Sequence, residues 1–258
     1  MDLETLRYDL DERVGTVVLS RPEHLNAMNR AMWVDLRTVV EHVRDATTTD
    51  GIRALVFSGA GDAFSTGGDI DDFESLRSPD ERRAYMEEVT GVYEFIEDLP
   101  VPTIAAVHGY AVGGGCELTL VCDIAIADET ALFALPEQRV GLFPGVAVAR
   151  GGRQLSSHWL KYLAFSGVDI DAATALTAGL VNEVVAAGSH GARAATLARS
   201  IAEGGPLGIR RAKAIINAGS VGGYAESISA IPDLMATRDH VEGIAAFRAR
   251  RTPEFRGE

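Results

Sequence analysis

The chain has 258 residues, 47% of them apolar, enough for one or two folded domains with a sizeable core. Thirty-seven acidic against 24 basic residues leave a formal net charge of −13, which opposes sequence-independent attraction to nucleic acid and to anionic membrane surfaces. The amino-terminal stretch is mixed in charge and lacks the apolar segment of a secretory signal, no run of about 18 apolar residues marks a membrane span, and Cys116 and Cys122 form no Cys-x-x-Cys pair, so a reduced, cytoplasmic protein is expected.

In chain order, residues 13–22 (RVGTVVLSRP) are β-branched and stop at proline, as a buried strand does. Met32, Leu36, Val39, Val40 and Val43 then recur at helical spacing behind Asn29, a suitable N-cap. A strand at RALVFSG, a glycine-rich loop at 59–69, a charged amphipathic helix from about Pro79 to Glu97 and a buried strand at PTIAAVHG follow. Next come a glycine-led apolar helix, a strand at DIAIAD and a short one near ALFALPE. Strands separated by helical stretches predict an α/β protein with largely parallel strands. From about residue 188 the pattern is almost wholly helical, with no flexible linker before it, so the chain divides softly into 1–187 and 188–258.

Several chemistries lack their signals. Gly59-Ala60-Gly61 follows a strand but misses the third glycine of a dinucleotide fingerprint. There is no Gly-x-Ser-x-Gly elbow, no phosphate loop ending in Gly-Lys-Ser/Thr and no His-Glu-x-x-His motif. The six histidines have no metal-ligand spacing, so no metal is expected, and His108 reads as a hydrogen-bonded interior residue.

Two glycine runs remain, Thr66-Gly67-Gly68-Asp69 and Gly113-Gly114-Gly115, the second at a helix N-terminus where unpaired N–H groups favour developing negative charge. Together they can form an oxyanion hole; each also suits a tight turn or close helix packing. Glu117 lies among Cys116, Leu118, Leu120, Val121 and Cys122, a setting in which a carboxylate needs a partner, a water or a raised pKa. Glu137 follows Pro136, which is also how an ordinary helix begins. The basic stretch RARRTPEFR reads as a solvated helix end, or less simply as a phosphate contact.

Taken together, RPEHLNAMN, AFSTGGDI, AAVHGYAVGGGCEL, CDIAIA, FALPEQRVGLFPG and AAFRARRTPEFRG resemble, in order and spacing, the enoyl-CoA hydratase/isomerase, or crotonase, family over nearly the whole chain. The resemblance implies an α/β crotonase-like spiral of repeated ββα units with a helical C-terminal region that mediates trimerisation, the trimers often pairing into hexamers. It implies an acyl-CoA substrate, with coenzyme A part of that substrate and no separate cofactor. By position, Gly68 and Gly114 match the two residues whose N–H groups hold the thioester oxygen, and Glu117 and Glu137 match the two catalytic carboxylates. His24 and Leu25, with Ala63, Ser65, Thr66, Asp69 and Ile70, match the region that receives the coenzyme and the start of the acyl chain. Possession of both glutamates favours a hydratase; an isomerase with a relocated base and a dehydratase running the same chemistry backwards are the alternatives, with a non-catalytic acyl-CoA-binding scaffold behind them. Val146-Ala147-Val148-Ala149 departs from the Gly-Gly-Thr type turn of many hydratases and borders the acyl pocket. The acids Asp69, Asp71 and Asp72 discourage an acyl group with a free carboxylate if they face the site.

Overall fold

An antiparallel hairpin opens the fold: β1 (Leu6–Asp11) pairs with β2 (Val14–Leu19), Leu6 opposite Leu19 and Asp11 opposite Val14. The computed structural model describes residues 1–49, 51–219 and 223–258. After a short turn, α1 (Arg30–Thr49) starts where the apolar spacing places it, with the Asn29 side chain accepting from the Met32 N–H at 3.0 Å. β3 (Ala54–Gly59) leads into β4 (Ala63–Ser65), α2 (Ile70–Ser75) and α3 (Pro79–Glu97). β5 (Thr103–Val107) leads into β6 (Tyr110–Val112) and α4 (Gly114–Val121). β7 (Ile124–Asp128) leads into β8 (Leu132–Ala134), α5 (Gly145–Arg150) and α6 (Ser157–Ser166), followed by β9 (Ile170–Asp171), α7 (Ala172–Ala178) and β10 (Glu183–Val185).

Among the described residues the strands form two sheets, one ordered β1-β2-β3-β5-β7-β10 and the other β4-β6-β8-β9. Three times in succession, then, a strand of the larger sheet passes into a strand of the smaller one and on into helix, the strand–strand–helix repeat that the sequence resemblance implies. Pairing is parallel from β2 to β10 and from β4 to β8. The central strands are accordingly apolar on both faces rather than alternating; all five residues of β5 are buried.

Helix α3 begins with a capping box between Ser78 and Glu81 and with Pro79 in its first turn. It buries Tyr85, Val89, Val92, Tyr93 and Ile96, a stripe at helical spacing. That stripe joins Met32, Leu36, Val40 and Val43 of α1 and the apolar α4 in one large core. A smaller core covers the opposite face of the larger sheet, where α8 (His190–Ala202) lays Ala194, Ala198 and Ala202 on Val14, Val56, Ile104 and Ile126. Alanine at every fourth position lets the helix lie close to the strands. The chain ends with α9 (Pro206–Ala218), α10 (Gly223–Met235) and α11 (Arg238–Ala249), which leave Ile216, Ile228, Ile231, Met235, Val241, Ile244 and Phe247 exposed.

Candidate active site

β4, β6 and β8 are parallel neighbours, so their carboxyl ends emerge side by side. Open α/β sheets place ligands outside such ends. β4 is followed by Thr66-Gly67-Gly68, β6 by Gly113-Gly114 and β8 by Leu135-Pro136-Glu137.

The glycines serve two separate needs. Gly67 and Gly113 have φ of 90° and 54°, left-handed values that side chains resist. A Cβ on Gly67 would lie 2.8 Å from the Gly114 nitrogen, and one on Gly115 would lie 2.3 Å from the Ser65 carbonyl oxygen, so the two loops touch backbone to backbone. The N–H groups of Gly68 and Gly114 make no hydrogen bond to any other described residue.

The first loop is propped from behind. The Ser65 hydroxyl donates to the Asn26 carbonyl at 2.8 Å and accepts from the Gly67 N–H at 3.1 Å. The Asn26 amide donates to the Ala60 and Ala63 carbonyls, Met28 N–H donates to the Gly67 carbonyl at 2.7 Å, and Thr66 N–H donates to the Leu25 carbonyl. Asp69 caps α2 and pairs with Arg21 at 2.8 Å, and that guanidinium holds its carboxyl below the usual range. Asp72 accepts from the Arg30 N–H at 2.5 Å.

A cavity of about 510 Å³ lies over these loops, and Gly68, Gly114, Glu117, Glu137, Thr66 and Ile70 all line it. His24 and Leu25 are exposed outside it, Ala63 and Ser65 are fully buried beneath the loop, and Asp69 faces Arg21. Asp71 and Asp72 do not line it either.

Glu117, on the first turns of α4, is 8% exposed. Its Oε1 accepts from the Val146 and Ala147 N–H groups at 2.9 and 3.0 Å, the opening residues of α5. The segment Val146-Ala147 therefore meets Glu117 through backbone, a role its side chains do not disclose. Burial pushes the Glu117 carboxyl up to about 7 against those two N–H bonds, and the charge of Glu137 adds to the rise. Glu137 begins a short 3-10 turn after Pro136, and its Oε1 lies 3.1 Å from where a Cβ on Gly113 would be. Its Oε2 is buried with no hydrogen-bond partner, and burial raises its pKa too. An orphaned buried carboxylate oxygen is costly, and a ligand that meets it removes the cost.

Two groups escaped the sequence reading. Tyr93 donates from its hydroxyl to the Gly114 carbonyl at 2.8 Å, but it sits on the buried stripe of α3 and reads as core. Arg139 lines the cavity and donates from Nη2 to the Gly167 carbonyl at 2.6 Å; one exposed arginine in a loop carries no signal by itself.

A family model described as enoyl-CoA hydratase/isomerase matches residues 9–258. A probable mitochondrial enoyl-CoA hydratase 2 of Arabidopsis thaliana is 36% identical over 254 residues, covering 96% of this chain and 83% of that protein. A probable enoyl-CoA hydratase of Rhizobium meliloti is 36% identical over 261 residues, covering 99% of each. The crystal structure of an enoyl-CoA hydratase from Bacillus anthracis superposes with a TM-score of 0.92 at 30% identity, covering 99% of this chain and 100% of that one.

Proposed function

The chain belongs to the enoyl-CoA hydratase/isomerase family and is an enoyl-CoA hydratase; from that premise we propose that Gly68, Gly114, Glu117 and Glu137 add water across the C2=C3 bond of an enoyl-CoA thioester. The thioester oxygen sits between the Gly68 and Gly114 N–H groups. As hydroxyl attacks C3, charge flows to that oxygen, and the two preorganised donors stabilise the enolate; one such donor is typically worth about 10²–10³ in rate. Glu117 takes the proton from the attacking water and Glu137 gives a proton to C2. Hydroxyl thus arrives at C3 and hydrogen at C2, while one proton moves onto Glu117 and one leaves Glu137. Each such transfer is typically worth about 10²–10⁴.

On Glu117 the two N–H bonds to Oε1 oppose the rise that burial causes, while the Oε2 of Glu137 receives no hydrogen bond. The observation that carries the reading is the buried Glu117 and the half-buried Glu137, whose Oε2 is enclosed, in one cavity with two free loop N–H groups. An isomerase, which shifts a proton along the acyl chain, can manage with one carboxylate, whereas hydration employs both, and a scaffold has a task for neither.

The exposed apolar residues of α9 to α11, including Ile216, Ile231 and Phe247, support self-association through these helices, and the homotrimer or hexamer of paired trimers is what the family resemblance implies. Coenzyme A enters as part of the substrate, with no separate cofactor. The free, buried Cys116 and Cys122 support a reducing, cytoplasmic setting. Among the described residues no helix is long and apolar enough to cross a membrane.

Mixing the protein with crotonyl-CoA tests the reading. Loss of the enoyl-thioester absorbance with formation of 3-hydroxybutyryl-CoA is the expected result; binding of CoA esters without turnover of any enoyl-CoA overturns it.

A further inference from the structure

On the hydratase reading, we propose that the preferred acyl group is an uncharged aliphatic chain longer than four carbons, held by an apolar rim built from α2, α3 and the segment between β8 and α5. Ile70, Phe73 and Met86 come from the two helices, and Val140, Leu142 and Phe143 from that segment; all six line the cavity that holds Glu117 and Glu137.

These side chains are conspicuous for their exposure. Ile70 is 64% exposed, Val140 67% and Phe143 70%, and Phe73, Met86 and Leu142 are exposed as well. Single exposed apolar residues need no explanation, but six around one opening mark a surface that meets something apolar. Deeper in the same cavity, Trp33, Tyr85, Val89 and Tyr93 are buried and continue the apolar lining. An acyl chain leaving C3 between the two glutamates therefore finds apolar wall both at depth and at the rim. The occupant is fixed by continuity with the reacting centre.

Charge excludes the obvious rival, an acyl group ending in a carboxylate. Among the described lining residues the acids are Glu117 and Glu137 and the one guanidinium is Arg139, whose Nη2 is taken by the Gly167 carbonyl. A carboxylate brought into this cavity would lose water beside two acids and meet a single cation, the solvent-exposed Arg139, which gives one N–H to the Gly167 carbonyl. Asp69 and Asp72, which the sequence suggested as the source of discrimination, are turned to Arg21 and the start of α1; the exclusion rests on the glutamate pair and the apolar wall.

Methylenes remote from the reacting carbons bind substrate and transition state alike, so they act through KM. Each one taken out of water is worth roughly fourfold in affinity. The test is kcat/KM for straight-chain 2-enoyl-CoAs of four, six, eight and ten carbons, beside a six-carbon 2-enoyl-CoA ending in a carboxylate. From four to eight carbons kcat/KM is expected to rise at least about tenfold, mostly through KM. The carboxylate-ended ester is expected to fall at least about tenfold below its uncharged six-carbon counterpart.

In Phe143→Ser and Met86→Ser, both at exposed positions, the eight-to-four-carbon ratio is expected to shrink in proteins whose melting temperatures match the parent. A flat or falling chain-length profile overturns the proposal. So does a preference for the carboxylate-ended ester that Arg139→Ala abolishes, or a rising profile that neither serine variant changes. Turnover of no member of the panel overturns the hydratase reading and this inference with it, whereas brisk turnover of crotonyl-CoA with no gain on longer chains sinks the inference alone.

Discussion

The Tyr93 hydroxyl donates to the Gly114 carbonyl oxygen at 2.8 Å and so ties α3 to the first turn of α4. That turn consists of Gly113, Gly114 and Gly115, which have no side chains to fix them. Tyr93 is buried and its ring packs edge-on against Trp33 at 5.4 Å between centroids. Tyr93→Phe keeps the ring and removes only the hydroxyl.

In Tyr93→Phe, kcat for hydration is expected to fall roughly three- to tenfold, the span of one lost hydrogen bond, with KM little changed. Tyr93 acts through the Gly114 N–H rather than on substrate, so a second readout separates positioning from general loosening. Acetoacetyl-CoA bound as its enolate probes the oxyanion donors directly, and its enolate absorbance is expected to weaken in the variant. Unchanged kcat and unchanged enolate signal would remove Tyr93 from the account.

The pH dependence follows from burial of the pair. Glu117 must be ionised to accept a proton, and its carboxyl is pushed up to about 7. The kcat/KM profile of the wild type is therefore expected to rise through about pH 7 from the acid side. Burial raises the Glu137 carboxyl as well, and the apparent values in the profile belong to the coupled pair. A profile already flat from pH 5 upward contradicts the assignment.

Stability moves in the opposite sense. A carboxyl whose pKa is raised on folding favours the native state fully below its ordinary value of 4.5, and that contribution is lost as pH rises to about 7. The interval corresponds to about 3 kcal/mol. Glu117→Gln keeps an oxygen to accept from Val146 and Ala147 and removes the buried charge. The variant is expected to melt above the wild type at pH 8, with the gap closing by pH 5. Equal melting temperatures at both values refute the buried-charge argument.

Long periodic elements were readable from the chain. Asn29 caps α1, α3 runs Pro79–Glu97, and the helical tail begins with α8. β1 was missed because an outer hairpin strand reading LRYDLD carries its charges toward solvent and buries little beyond Leu6. β6 and β9, of three and two residues, are too short for periodicity to reveal. In the site, Glu117 stood out because a charge in an apolar helix demands a partner, yet the partner is the backbone of α5, 29 and 30 residues away, which no side-chain pattern announces. Ala63 and Ser65, which adjoin the loop that carries Gly68, lie buried beneath it.

Hydration of crotonyl-CoA by folded Glu117→Gln and Glu137→Gln, set against the wild type, tests the shared role of the two carboxylates most directly. Each variant is expected to lose at least about 10² in kcat while keeping its melting transition. Near-normal turnover by either folded variant would take that glutamate out of the reaction and contradict the account.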